Sequence, residues 1–220
     1  MRSTPAAERD EVAGTGDAGS GILALFPLRT VLFPGGLLTL RIFEARYLDL
    51  VARCMRSGEG FGVVCLTEGP EAGRGDVPVR FEPLGVRARI DTVDAEQPGI
   101  LTLRCTGHDR FELSAPASQG ADGLWQAPVQ ALSPDPPGVP APAMFETVKA
   151  LSSAIAALRE RGRLPFAEPF RLDDAGWVAN RWCELLPLPL AARQRLMALP
   201  DPTLRLAMVD AFLREKRVIA

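Results

Sequence analysis

Apolar residues change their spacing about halfway along this chain, from strand alternation in front to helical periodicity behind. Ile22–Leu28 is an apolar run carrying Pro27, and Leu37–Ile42 is a second. Pro34, Gly35 and Gly36 between them signal a turn, because proline fixes φ and glycine tolerates positive φ. Phe43, Tyr47, Leu50, Val51 and Cys54 then recur at helical spacing. Glu44 stands where a negative charge suits the helix dipole, and Arg56 and Gly58 mark the end. Phe61–Leu66 is apolar on both faces, which predicts a buried strand. After Glu68–Asp76, a loop of three acids among four glycines and prolines, the alternation becomes clean. Val86, Ala88 and Ile90 oppose Arg87, Arg89 and Asp91, and Leu101, Leu103 and Cys105 oppose Thr102 and Arg104. Phe111 and Leu113 oppose Arg110 and Glu112, and Trp125, Ala127, Val129 and Ala131 complete the series. One wet face per strand predicts a mostly antiparallel sheet, with hairpin turns at Asp94–Gly99 and Gly107–Asp109. Roughly seven short strands without a βαβ rhythm predict a curled sheet or small barrel.

Ser133–Pro142 holds five prolines in ten residues and cannot form a regular element. Behind it the spacing predicts helices over Met144–Arg161, Asp173–Leu186, Leu190–Leu199 and Pro202–Arg217. Asp173 and Asp201 are the expected N-caps, and Pro202 occupies a first helical position, where its missing N–H costs nothing. Val178, Trp182 and Leu185 form one apolar stripe, and Leu204, Met208, Ala211 and Phe212 another. The expected organisation is α+β: a disordered tail over 1–20, a strand-built part over 21–133, a linker over 134–142 and a helical part over 143–220.

Composition narrows the setting. At 220 residues, 47% hydrophobic and 24% charged, the chain is an ordinary globular one, long enough for two small parts sharing a core. No apolar run reaches the ~18 residues of a membrane span, and residues 1–20 lack the apolar centre of a secretory signal. A net charge of −2 exerts no long-range pull on nucleic acid or anionic membrane. The expected location is the cytoplasm. Cys54, Cys65, Cys105 and Cys183 form no C-x-x-C pair, and Cys54, Cys65 and Cys105 fall on apolar positions, as core thiols of a reducing compartment would.

Catalytic chemistry finds no foothold. A phosphate-binding loop needs a lysine after a glycine-rich turn, and neither Lys149 nor Lys216 follows one. Ser152 and Ser153 lie one helical turn from Lys149, but such contacts are ordinarily surface decoration. His108 beside Asp109 reads as turn chemistry, and Asp173 with Asp174 as capping. No catalytic, cofactor or metal site is expected.

One stretch is distinctive. Leu25–Val51 (LFPLRTVLFPGGLLTLRIFEARYLDLV) resembles the start of the Lon protease N-terminal, substrate-binding domain family, in its stand-alone form. Phe61–Val64 is similar to the family's next strand, Gly107 with Arg110 and Phe111 to its later hairpin, and Leu185–Leu190, Arg193–Met197 and Asp201–Leu206 to its helical part. The likeness runs from about Ile22 to Leu213. It implies a small PUA-like antiparallel β-barrel with an inserted helix, then a helical bundle. It also implies a non-enzymatic module for unfolded or apolar polypeptide, or for a partner protease.

Arg41, Glu44, Arg46 and Tyr47 fall where the second strand meets the inserted helix, and with Trp182 they form the candidate polypeptide-binding edge. The plainer account of the first four is a local ion-pair network fixing the helix. Trp125, Trp177 and Trp182 fit the core by pattern, with one of them available to line a groove between the two parts. Leu190–Arg217 carries six basic residues against three acids, a bias that suits a solvated face better than a nucleic-acid patch. RNA binding is the alternative that a PUA-like fold suggests, but fold is weak warrant for function. A pI near 5.6 and core-patterned aromatics disfavour it. The sequence leaves self-association open.

Overall fold

The front of the chain forms β1 (Ile22–Leu28), β2 (Leu37–Ile42), α1 (Ala45–Ser57), β3 (Phe61–Glu68), β4 (Arg80–Gln97), β5 (Ile100–Leu113), β6 (Ser118–Gln119) and β7 (Trp125–Ala131). A 3-10 turn at Pro142–Met144 leads into α2 (Phe145–Glu160), α3 (Ala175–Leu185), α4 (Leu190–Ala198) and α5 (Pro202–Glu215). This is a mixed α+β chain. The computed structural model describes residues 21–71, 78–162 and 165–219, so the tail expected over 1–20 and most of the acidic loop lie outside the described residues.

The strands join in one sheet, in the order β2-β5-β4-β3-β1-β7-β6, and β7 also pairs with β5, Phe111 opposite Ala131. The pairings β5-β4-β3-β1-β7 therefore return to their start as a ring. Leu23, Leu25, Val64, Phe111, Ala127 and Val129 cluster together, contributed by β1, β3, β5 and β7. Gly62 and Gly85 make room for Phe111, whose Cζ would lie 2.6 and 2.8 Å from a Cβ at those positions.

The sheet is mostly antiparallel, as expected, with one parallel pair, and one expected hairpin turn is corrected. β1 and β3 run parallel, Leu25 opposite Gly62 and Leu28 opposite Cys65. The rest of the sheet is antiparallel; β2 and α1 provide the long crossover that a parallel pair requires. Gly107–Asp109 is not a hairpin turn but lies within β5, and the β4–β5 turn is at Pro98–Gly99. Gly107 serves a close approach instead. The turn before β2 crosses it, with Gly35 N–H donating to Gly107 O at 2.7 Å and Gly107 N–H to Gly36 O at 2.8 Å. A Cβ on Gly107 would collide with the Phe33 carbonyl oxygen. Valine at 107 is expected to lower stability by about 3 kcal/mol, measured by urea denaturation. An unchanged midpoint would mean that the turn can retreat.

α1 forms because Tyr47, Leu50, Val51 and Cys54 share one buried face. It ends at Gly58, in the left-handed region at φ 73°, whose N–H donates to Cys54 O at 2.9 Å. α3 is buried from Ala175 to Cys183 and packs against α2, α4 and α5. Its cap is Asp174, one residue later than expected, which accepts from Trp177 N–H at 3.0 Å. Asp201 caps α5 as expected, accepting from Thr203 N–H at 2.8 Å and Leu204 N–H at 3.2 Å. α5 turns inward a different stripe from the one its apolar residues suggest: Arg205, Leu206, Val209 and Leu213 are buried, and Leu204 and Met208 are exposed. Leu206, Val209 and Leu213 are apolar at helical spacing too, and Arg205 beside them reaches Asp135 at 2.6 Å. One core runs through both halves, joining Phe26, Tyr47 and Leu103 to Leu151, Val178 and Leu206.

Candidate functional site

At the corner where β2 runs into α1, the alternation of β2 buries Leu40 and Ile42 and leaves Arg41 exposed. Phe43 then turns out and is 59% exposed. Beside it lies a groove of about 190 Å³ with Phe26, Leu28, Leu40 and Tyr47 in its wall and Arg41, Phe43, Glu44 and Glu71 around it. Tyr47 stacks on Phe26, ring centroids 3.9 Å apart and 12° from parallel. Arg46 is buried, pairs with Glu44 at 2.9 Å, donates to Gly123 O at 2.9 Å, and holds its guanidinium 4.8 Å from the centre of the Tyr47 ring. Glu44 occupies the cap position of α1 without capping it through its side chain; its carboxylate faces Arg46 instead. Burial pushes the Tyr47 phenol above its ordinary pKa, with Arg46 pulling the other way, so the ring presents an uncharged surface.

The structure therefore brings Arg41, Glu44 and Tyr47 together at one groove, with Arg46 bracing it from behind. Trp182 lies apart. It is 5% exposed, and its indole N–H donates to Thr147 O at 3.1 Å, joining α3 to α2. Phe43 has the most accessible ring of this corner, although its spacing in the sequence groups it with the helix's apolar positions. Its place one residue before Glu44, outside the α1 turn, is the signal that could have found it.

The junction of the two halves is polar. Arg110 of β5 donates to Met197 O at 3.1 Å, to Leu199 O at 3.0 Å and to Asp135 at 2.8 Å. Arg205 of α5 donates to Asn180 Oδ1 at 3.0 Å, to Leu196 O at 2.8 Å and to the same Asp135. Asp135 sits in the proline-rich segment, so that segment is pinned from both sides. Arg205, counted with the solvated basic residues in the sequence, is 1% exposed. Arg181 of α3 donates to the Pro34 and Gly35 carbonyls of the turn and pairs with Glu184 at 2.8 Å. Burial pushes the Glu184 carboxyl up to about 7, against the pull of Arg181. A cleft of about 240 Å³ opens here between Pro34, His108, Asp109, Arg171 and Trp177. Trp177 is thus the tryptophan that lines a space between the parts. His108 and Asp109 are exposed at this cleft, and the charged groups they neighbour, Arg110 and Asp135, are already engaged with each other.

All four cysteines are buried and unpaired, and burial pushes Cys65 up to about 11 and Cys105 and Cys183 up to about 12, which keeps these thiols protonated and inert. Among the described residues no helix is long and apolar enough to cross a membrane.

The chain is similar to the crystal structure of a Lon N-terminal domain protein from Xanthomonas campestris, at 32% identity and a TM-score of 0.66, over 87% of this chain and 98% of that one. It shares its fold with the N-terminal domain of the Mycobacterium avium complex Lon protease, at 18% identity and a TM-score of 0.55, over 86% and 96% of the two chains. No curated protein sequence is detectably similar. The family model of the substrate-binding domain of ATP-dependent protease La (Lon) matches residues 22–215. With a match over nearly all the described residues, the chain belongs to the Lon substrate-binding domain family.

Proposed function

We propose that this chain is a non-catalytic cytoplasmic module that binds unfolded or apolar polypeptide, or a partner protease, through the groove at the β2–α1 corner. The ring of strand pairings is then the PUA-like barrel, and α2 to α5 are the bundle that supports it. The observation that carries the reading is Phe43, an aromatic ring 59% exposed beside a groove walled by Phe26, Leu28 and Tyr47. Apolar burial is non-directional and tolerates many sequences, which is what a binder of unfolded chains needs. Arg41, Glu44, Phe43 and Tyr47 meet the polypeptide, Arg46 fixes the corner, and Trp182 serves the packing of α3 on α2 away from the groove. RNA recognition has less support. It calls for stacking aromatics and a basic field, whereas Trp177 and Trp182 are buried and Trp125 half-buried.

Reduced, carboxymethylated lactalbumin is a suitable unfolded probe. It is expected to bind with an affinity on the order of micromolar that changes little between low and high salt, without competition from short RNA. Phe43→Ser touches no core contact and is expected to weaken binding by about tenfold at unchanged melting temperature. Tight RNA binding that collapses with salt, together with no affinity for the unfolded probe, would overturn the reading.

A further inference from the structure

The outer edge of β2 offers more than an apolar groove. Among the described residues, β2 pairs only with β5. That pairing decides which of its backbone groups face outward. Gly107 N–H donates to Gly36 O at 2.8 Å, and the ladder then runs without a register shift to Ile42 opposite Leu101. Successive residues of a strand direct their N–H and C=O to opposite sides. Leu38, Leu40 and Ile42 therefore turn theirs towards β5, and Thr39 and Arg41 turn theirs away. At the near end of β2, Gly36 forms an antiparallel bridge with Phe166. Thr39 and Arg41 lie beyond it, and both line the groove beside Phe26, Leu28 and Tyr47.

An unpaired edge is a template for another strand, and proteins usually blunt it by shortness, proline or a bulge. The opposite edge of this sheet is blunted in that way: β6 is two residues long. β2 has six residues, no proline and an unbroken register.

We propose that an extended apolar segment of an unfolded polypeptide adds to β2 as a further strand, along the outward groups of Thr39 and Arg41. Its backbone pairs with Thr39 and Arg41, and one of its apolar side chains enters the groove against Phe26, Leu28 and Tyr47. Main-chain pairing supplies affinity without reading side chains, and the groove adds a preference for an apolar one. The inference rests on the polypeptide-binding reading and specifies how that site grips.

The test uses a short peptide of alternating leucine and threonine, and the same peptide N-methylated at alternate residues so that one of its edges cannot donate. The plain peptide is expected to bind and to protect the Thr39 and Arg41 amides from hydrogen exchange. Methylation on the pairing edge is expected to weaken it by about tenfold or more. Arg41→Pro, which removes one outward N–H where an edge strand tolerates proline, is expected to do the same and to weaken binding more than Arg41→Ala, which loses the side chain but keeps that N–H. Equal binding of plain and methylated peptides, with no protection at Thr39 and Arg41, overturns strand addition and leaves the apolar groove as the site. If neither peptide nor the unfolded lactalbumin binds the unaltered protein, the functional reading falls and this inference with it. The methylated peptide needs no variant, so it decides the matter even if Arg41→Pro does not fold.

Discussion

Replacing Asp135 by alanine is expected to cost the protein about 3–5 kcal/mol, the penalty for leaving buried charge without its partner. Its carboxylate takes hydrogen bonds from Arg110 at 2.8 Å and Arg205 at 2.6 Å, side chains that are 5% and 1% exposed. Without it, two guanidinium groups share one site with only carbonyls and the Asn180 amide to face. Burial and mutual repulsion already press the Arg110 pKa downward, and Asp135 is what opposes them. Chemical denaturation, followed by tryptophan fluorescence, measures the loss. Asp122→Ala makes the comparison: its pair with Arg53 at 3.2 Å is half exposed on both sides and should be worth within about 1 kcal/mol. If the two variants melted alike, the junction would not depend on the buried charges.

Glu184→Gln should do the opposite, and only at high pH. The native protein keeps a proton on Glu184 up to about pH 7, whereas a carboxyl at its ordinary value releases it near 4.5. A folded-state pKa above the unfolded one means that stability is present in full below pH 4.5 and is lost as pH rises through 7. Glutamine has no such proton and can still accept from Arg181. The variant is therefore expected to match the parent at low pH and to exceed it above pH 7 by on the order of 3 kcal/mol, at about 1.4 kcal/mol for each pH unit of displacement. Paired urea titrations at acidic and alkaline pH would show it. A difference that stayed constant across that range would mean that water reaches the carboxylate.

Much of the fold was legible because local signals and tertiary packing agree. Tyr47, Leu50, Val51 and Cys54 announce α1, Gly58 its end, and Asp201 with Pro202 the start of α5; each is a short-range rule with a backbone cause. What the sequence hid was long-range. Gly107 between two polar residues looks like turn chemistry, and only the Leu32–Phe33 crossing reveals that it is a strand residue kept small by a neighbour far away in the chain. Arg110 alternates with Phe111 as an outward residue should, yet α4 and the proline segment cover it. Leu204 and Met208 suggest the inner face of α5, but Leu206, Val209 and Leu213 share the same helical spacing and are the ones that pack, with Arg205 beside them on Asp135. The candidate edge divides on the same line. Arg41, Glu44 and Tyr47 are close in sequence and meet at the groove, while Trp182 was joined to them only by its type and lies between α2 and α3.

Gly62 and Gly85 yield the interior of the strand ring to Phe111, and Leu23, Leu25, Val64, Ala127 and Val129 fill the remainder. Side chains of the ring itself therefore take up the space that the two glycines leave. The polypeptide proposed to bind is then met on the perimeter, along the run of main chain at a rim. The two glycines that look like gaps in an alternating pattern are thereby what admits the Phe111 ring.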